Sequence, residues 1–203
     1  MRIRVIRAKN ERGHSILEFA LLAIPTVLML LGVIVVGIDL GRSVQVTQIC
    51  RDADSMYARG LDFSQAGNQQ ELVRLGKNMN LQTSGGDGLI TLSKVTFLPD
   101  HSCGTPPDPN CTAGKYALMQ RIIFGNTALP GTHFPTVGLV SQDALGNVNN
   151  YTTDPNAVIT TFASSLQLKP NEVSYVSEAY FQTTDVGMSS YQATPGVYSQ
   201  AFF

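Results

Sequence analysis

The chain has 203 residues, with 14 basic and 15 acidic side chains, three cysteines and no tryptophan, for a formal net charge of −1. Five of the basic residues (Arg2, Arg4, Arg7, Lys9 and Arg12) fall in the first twelve positions beside a single acid, Glu11, and from His14 onward nine basic residues stand against fourteen acidic ones. A balance of about −5 over most of the chain, with its basic residues scattered, excludes the continuous basic face through which proteins release counterions from nucleic-acid phosphates.

Behind the basic segment, Phe19 to Ile38 is a run of twenty uncharged residues dominated by Leu, Val, Ile and Ala. As a helix it spans about 30 Å, the thickness of a bilayer's hydrocarbon core. Basic residues before it and Asp39 after it set the N-terminus on the cytoplasmic side and the remainder outside, a single-pass topology. A cleaved secretory signal needs a shorter apolar region and a small-x-small site after it, and "GIDLGRSVQVTQIC" offers none. "VTQI" before Cys50 likewise lacks the small residue of a lipoprotein site.

Glu18 sits one residue ahead of the apolar run, where an ionised carboxylate is costly. A basic leader, Gly13, four residues, Glu18 and then the apolar helix make up "RGHSILEFALLAIP", with Pro25 closing the stretch. This pattern resembles the type IV prepilins, and more particularly the TadE-like pseudopilins of the tight-adherence (Tad) pilus. The resemblance covers residues 12–42. It implies a prepilin-type leader of residues 1–13 cut between Gly13 and His14 by a prepilin peptidase. It also implies assembly through the N-terminal helix, by way of Glu18, Phe19 and Pro25, on an inner-membrane platform. In such filaments the fifth-position acid pairs with the new α-amine of a neighbour, here Glu18 with His14 of the next subunit. A paired carboxylate is tolerated in apolar surroundings where a lone one is not. The plainer alternative is that Glu18 snorkels to the headgroups. His14 stands where major type IV pilins carry Phe, which leaves N-methylation open.

Pro25 lacks an N–H and its ring clashes with the Leu21 carbonyl, so it either marks a weak point for repacking or is simply tolerated. Gly37 and Gly41 form a Gly-x3-Gly that permits close helix packing. The helix is expected to span 14–60, transmembrane over about 19–38 and an amphipathic stalk over 39–60, about 65 Å from Ser15 to Arg59. Val44, Val46, Ile49, Cys50, Ala53, Met56 and Tyr57 form its apolar stripe, with Arg42, Gln45, Gln48, Arg51, Asp52 and Asp54 on other faces. Gly60 is the expected C-cap.

Residues 61–203 are expected to form an extracytoplasmic α+β head, a small antiparallel sheet packed on the helix and joined by long loops. "SQAGNQQELVRLGKNM" (Ser64 to Met79) reads as a short helix with Leu72, Val73, Leu75 and Met79 apolar, and "SGGDG" as a turn. Leu89 to Leu98, Tyr116 to Gly125 and Glu172 to Thr183 read as strands. Cys103 and Cys111 flank "GTPPDPN", and in an oxidising compartment a disulfide closing that loop is the natural reading. A metal site from His101, Cys103, Asp108 and Cys111 matches no standard spacing, so none is assigned. Cys50 is left as a buried thiol or a link between subunits. The tail aromatics Tyr191, Tyr198, Phe202 and Phe203 either fold back on the sheet or dock a neighbour.

No nucleophile elbow, metalloprotease helix, phosphate loop or Cys-x-x-Cys is present, so no catalytic residue or cofactor is assigned. The expected function is structural: a pseudopilin or minor pilin of a Tad or type IV-like extracellular filament. Its expected partners are other pilin subunits, the peptidase, the platform and the membrane. It would sit in a bacterial inner membrane before processing and in the filament or periplasm after it. A head of this size suits adhesion. The competing class is a membrane-anchored extracytoplasmic binding or sensor protein that never polymerises.

Overall fold

The computed structural model describes residues 12–99, 114–131, 139–160, 167–182 and 196–203, with side chains from residue 16 onward in the first segment. The chain divides into two compact units, Met1–Gly41 and Arg42–Phe203. The expected loop cysteines Cys103 and Cys111, and His101 and His133, lie outside the described residues.

Helix α1 runs over Arg12–Ala58. It covers the expected span from position 14 and stops two residues short of 60. Its end is set by Gly60, whose φ of 88° favours glycine. The Gly60 amide donates to the Tyr57 carbonyl at 3.0 Å and the Leu61 amide to Met56 at 3.1 Å. Those are the two bonds of a Schellman cap. Leu61 and Met56 both pack against the main core, supplying the apolar contact that accompanies such a cap.

Within the first unit, every residue from Ile16 to Gly41 is exposed except the half-exposed Ala23 and Val35. Leu, Ile and Val side chains thus lie on all sides of this stretch of helix, without the polar face of an amphipathic one. By length and composition α1 is able to cross a membrane.

Within the second unit, α1 from Val46 onward lies on a five-stranded antiparallel sheet, giving the α+β architecture expected. The strands are β1 (Gly88–Phe97), β2 (Tyr116–Gly125), β3 (Val158–Ile159), β4 (Val173–Gln182) and β5 (Gly196–Phe202), in the order β3-β2-β1-β4-β5. Strands β1, β2 and β4 fall within one residue of their expected spans. Alternation then sorts the sheet residues. Ile90, Leu92, Ile122, Phe124, Ala179 and Phe181 form the helix-side core with Val46, Ile49, Cys50, Ala53 and Tyr57 of α1. A second cluster on the opposite face joins Val95, Leu118 and Val176 to Val148, Ala157 and Ile159 of the long β2–β4 connection. A β-bulge at Lys94/Val95 opposite β2 keeps Val95 and Leu118 on that face.

The short helix α2 (Ala66–Leu75) buries Leu72 into the main core. It begins two residues later and ends four earlier than expected, with a single 3-10 turn at Lys77–Met79 beyond it. Of its expected apolar positions, Leu75 is 47% exposed. The "SGGDG" turn is present, with Gly85 and Gly86 both at φ 78°.

Candidate functional site

Gly13 and His14 both lie within α1, so the proposed cleavage bond falls in helical chain. Glu18 and Phe19 are exposed, Phe19 at 75%. α1 continues through Pro25 without interruption. The next residue, Thr26, donates its hydroxyl to the Leu22 carbonyl at 2.8 Å. Such Ser/Thr back-bonding holds a helical hydroxyl that lipid cannot satisfy.

A Cβ added at Gly37 or at Gly41 meets nothing within 4 Å. Their four-residue spacing puts both on one face, leaving a shallow strip where another helix can approach closely. At about 100° per residue that face lies about 100–140° around the axis from Glu18. The expected acid and glycine contacts therefore belong to different sides of the helix. By contrast Glu18, Pro25, Gly32 and Asp39 recur every seven residues and share a side.

In the head, α1 is tied to β4 and β5 through Cys50. Its thiol is fully buried and unbridged. It lies 3.1 Å from Ser177 Oγ and donates toward the carbonyls of Ser177 at 3.3 Å and Ser199 at 3.4 Å. Burial pushes this thiol up, away from the thiolate that would make it reactive. Of the two open readings, Cys50 is the buried thiol.

Asp54 corrects the expected stripe. It was assigned to a polar face, but it is 1% exposed, and both carboxylate oxygens lack a hydrogen-bond partner among the described residues. Burial pushes its carboxyl up to about 7. Val44, the first residue of the expected stripe, is 56% exposed, and burial begins at Val46.

A second buried acid, Glu178, lies on the sheet face away from α1 and is 3% exposed. It accepts a 2.6 Å hydrogen bond from the Tyr198 hydroxyl, whose titration is raised by burial first and by Glu178 second. Arg121 lies near it and donates to Ser93 Oγ at 3.4 Å. Burial lowers Arg121 while Glu178 opposes that shift. Acid and base are thus taken out of water together. Tyr198 therefore folds onto the sheet, whereas Phe203 at the chain end is 67% exposed. Tyr191 lies outside the described residues.

Where α1 ends, a cleft of about 280 Å³ is lined by Tyr57, Asp62, Lys94, Gln120, Asn147 and Tyr175 among others. Tyr57 donates to Gln120 Oε1 at 2.7 Å and packs edge-on against Tyr175, with ring centroids 5.1 Å apart. Lys94 Nζ lies 5.8 Å from the Tyr175 centroid. Two of its polar groups, Tyr57 and Gln120, are thus engaged with each other. Among the described residues no group of three or more His, Cys, Asp or Glu gathers as a metal site. No family model, curated protein or solved structure matches this chain.

Proposed function

We propose that the protein is a pilin-like structural subunit, a pseudopilin or minor pilin of a Tad or type IV-like extracellular filament. In this reading, residues 1–13 are removed by a prepilin peptidase and subunits assemble through the first part of α1 on an inner-membrane platform. The observation that carries it is Glu18, an acid on α1 directly ahead of twenty uncharged residues that are almost wholly uncovered. An isolated helix leaves that carboxylate at a cost of several kcal/mol, whereas a neighbour's α-amine at His14 relieves it, so the docked state is selected. Gly37 and Gly41 give room for a second helix contact on another side. The head then lies outside the membrane, and its clefts and long connections suit adhesion.

Intact-mass measurement on protein from its native host tests the processing step. Loss of Met1 to Gly13 is expected. Retention of the leader in cells with an active prepilin peptidase would favour a non-polymerising membrane anchor instead.

A further inference from the structure

Asn150-Tyr151-Thr152 is one of two Asn-x-Thr triplets in the chain, and the other, at Asn110, lies outside the described residues. Asn-x-Ser/Thr with a middle residue other than proline is the acceptor pattern for N-linked glycans on exported chains. The triplet alone is common, so its placement has to carry the argument. Asn150 lies in a turn of the long β2–β4 connection at φ 52°, a left-handed conformation that asparagine tolerates. Its carbonyl accepts from the amides of Thr153 and Asp154, both at 2.9 Å, which closes the turn. The chain is anchored on either side, since Val148 is buried and Tyr151 packs against the second core cluster. Asn150 itself is exposed.

Neighbouring carboxamides are engaged with the protein. Asn147 donates to Asp143 Oδ2 at 2.9 Å, and Asn149 to Ser141 Oγ at 3.1 Å. Among the described residues the Asn150 side-chain amide has no hydrogen-bond partner, so its nitrogen need not be withdrawn from a protein bond before it reacts. An open hollow of about 620 Å³ beside it is lined by Asn150 with Ser141, Asn149, Thr153 and Asp154. A bulky, hydrated substituent on this nitrogen therefore meets open space rather than packed protein. Asn78, Asn156 and Asn171 are exposed too, but none has Ser or Thr two residues on.

We propose that Asn150 is the acceptor for an N-linked glycan, donated by a lipid-pyrophosphate-linked oligosaccharide on the outer side of the membrane. In the transfer, Asn150 Nδ2 bonds to the anomeric carbon of the first sugar as that carbon's bond to the pyrophosphate oxygen breaks. The pyrophosphate leaves with the electron pair, and one amide proton passes to a base on the transferase. Thr152 supplies the residue type by which such a transferase reads its acceptor. The turn is a short surface segment, so it opens locally to meet an enzyme without unfolding the sheet. The assignment rests on the outward placement of the head in the proposed topology, and not on polymerisation.

The test is peptide mapping by mass spectrometry of the full-length protein from its native host, with electron-transfer fragmentation to place any sugar. Saccharide mass increments on Asn150 are expected in the wild type and in Thr152→Ser. Their loss is expected in Asn150→Gln and in Thr152→Ala. A bare Asn150 in the wild type overturns the assignment, as does an increment that survives Thr152→Ala. Labelling of the exposed Lys77 and Lys169 on spheroplasts with a membrane-impermeant amine reagent separates the two ways of failing. Labelled lysines with a bare Asn150 refute the acceptor alone, whereas lysines labelled only after lysis refute the outward topology and the acceptor together. The wild-type map decides the matter even if a variant folds differently.

Discussion

Ser177 and Cys50 are joined in both directions across the helix–sheet interface. The Ser177 hydroxyl donates to the Cys50 carbonyl at 2.7 Å, and the Cys50 thiol donates back toward the Ser177 carbonyl at 3.3 Å. Both residues are fully buried, so neither bond competes with water. Ser177→Ala removes the shorter bond with little change in volume. The expected loss is about 1–2 kcal/mol of head-domain stability, read by urea denaturation with tyrosine near-UV dichroism.

The same burial sets an order of thiol reactivity. Folded protein from an oxidising compartment is expected to take up no alkylating agent. Reductant alone should expose two thiols, Cys103 and Cys111, while Cys50 should label only after unfolding. Ready labelling of the two loop cysteines before reduction would remove the proposed disulfide.

Asp54 gives the head a pH dependence of definite sign. Its carboxyl titrates near 7 in the folded chain and near 3.9 when unfolded, so the unfolded chain releases its proton first as pH rises. Stability from this group is therefore full below about pH 4, falls through about pH 7, and is flat above. Asp54→Asn abolishes that loss. The variant is expected to be more stable than wild type by about 2–4 kcal/mol at pH 8, with the gap closing by pH 4. A constant gap across that range would show that the acid is not held unpaired.

Two glycines on either side of the α1–α2 turn should respond in opposite ways. Gly60→Ala forces a side chain into the left-handed cap and is expected to cost about 1 kcal/mol. Gly67 lies in α2 with nothing near its missing Cβ, and Gly67→Ala is expected to add about 0.5 kcal/mol. Thermal or denaturant midpoints of the full chain decide both.

What the sequence made legible follows from how strongly each element is patterned. β1, β2 and β4 are central strands with β-branched and aromatic runs between turn residues, and periodicity finds them. β5 is an edge strand, only part-buried on both faces, so Gly196–Phe202 carries no clear alternation. β3 is two residues long and is set by its pairing with β2 alone. Asp54 was hidden by its chemistry rather than its position. It lies four residues after Cys50 and three before Tyr57, squarely within the helical period of the buried stripe. Glu178 was missed in the same way, being alternate to Val176 and Tyr180 on one strand face. In both cases an acid in a core register was the available signal.

The central claim concerns Glu18 and is most directly tested by Glu18→Ala in the native host, assayed for membrane insertion and for incorporation into sheared filaments. Removing the acid lowers the cost of a solitary helix and deletes the attraction that favours a docked one. Normal insertion with the variant absent from filaments is the expected result. Filaments that incorporate Glu18→Ala as readily as wild type would contradict the pairing and, with it, the account of how this chain assembles.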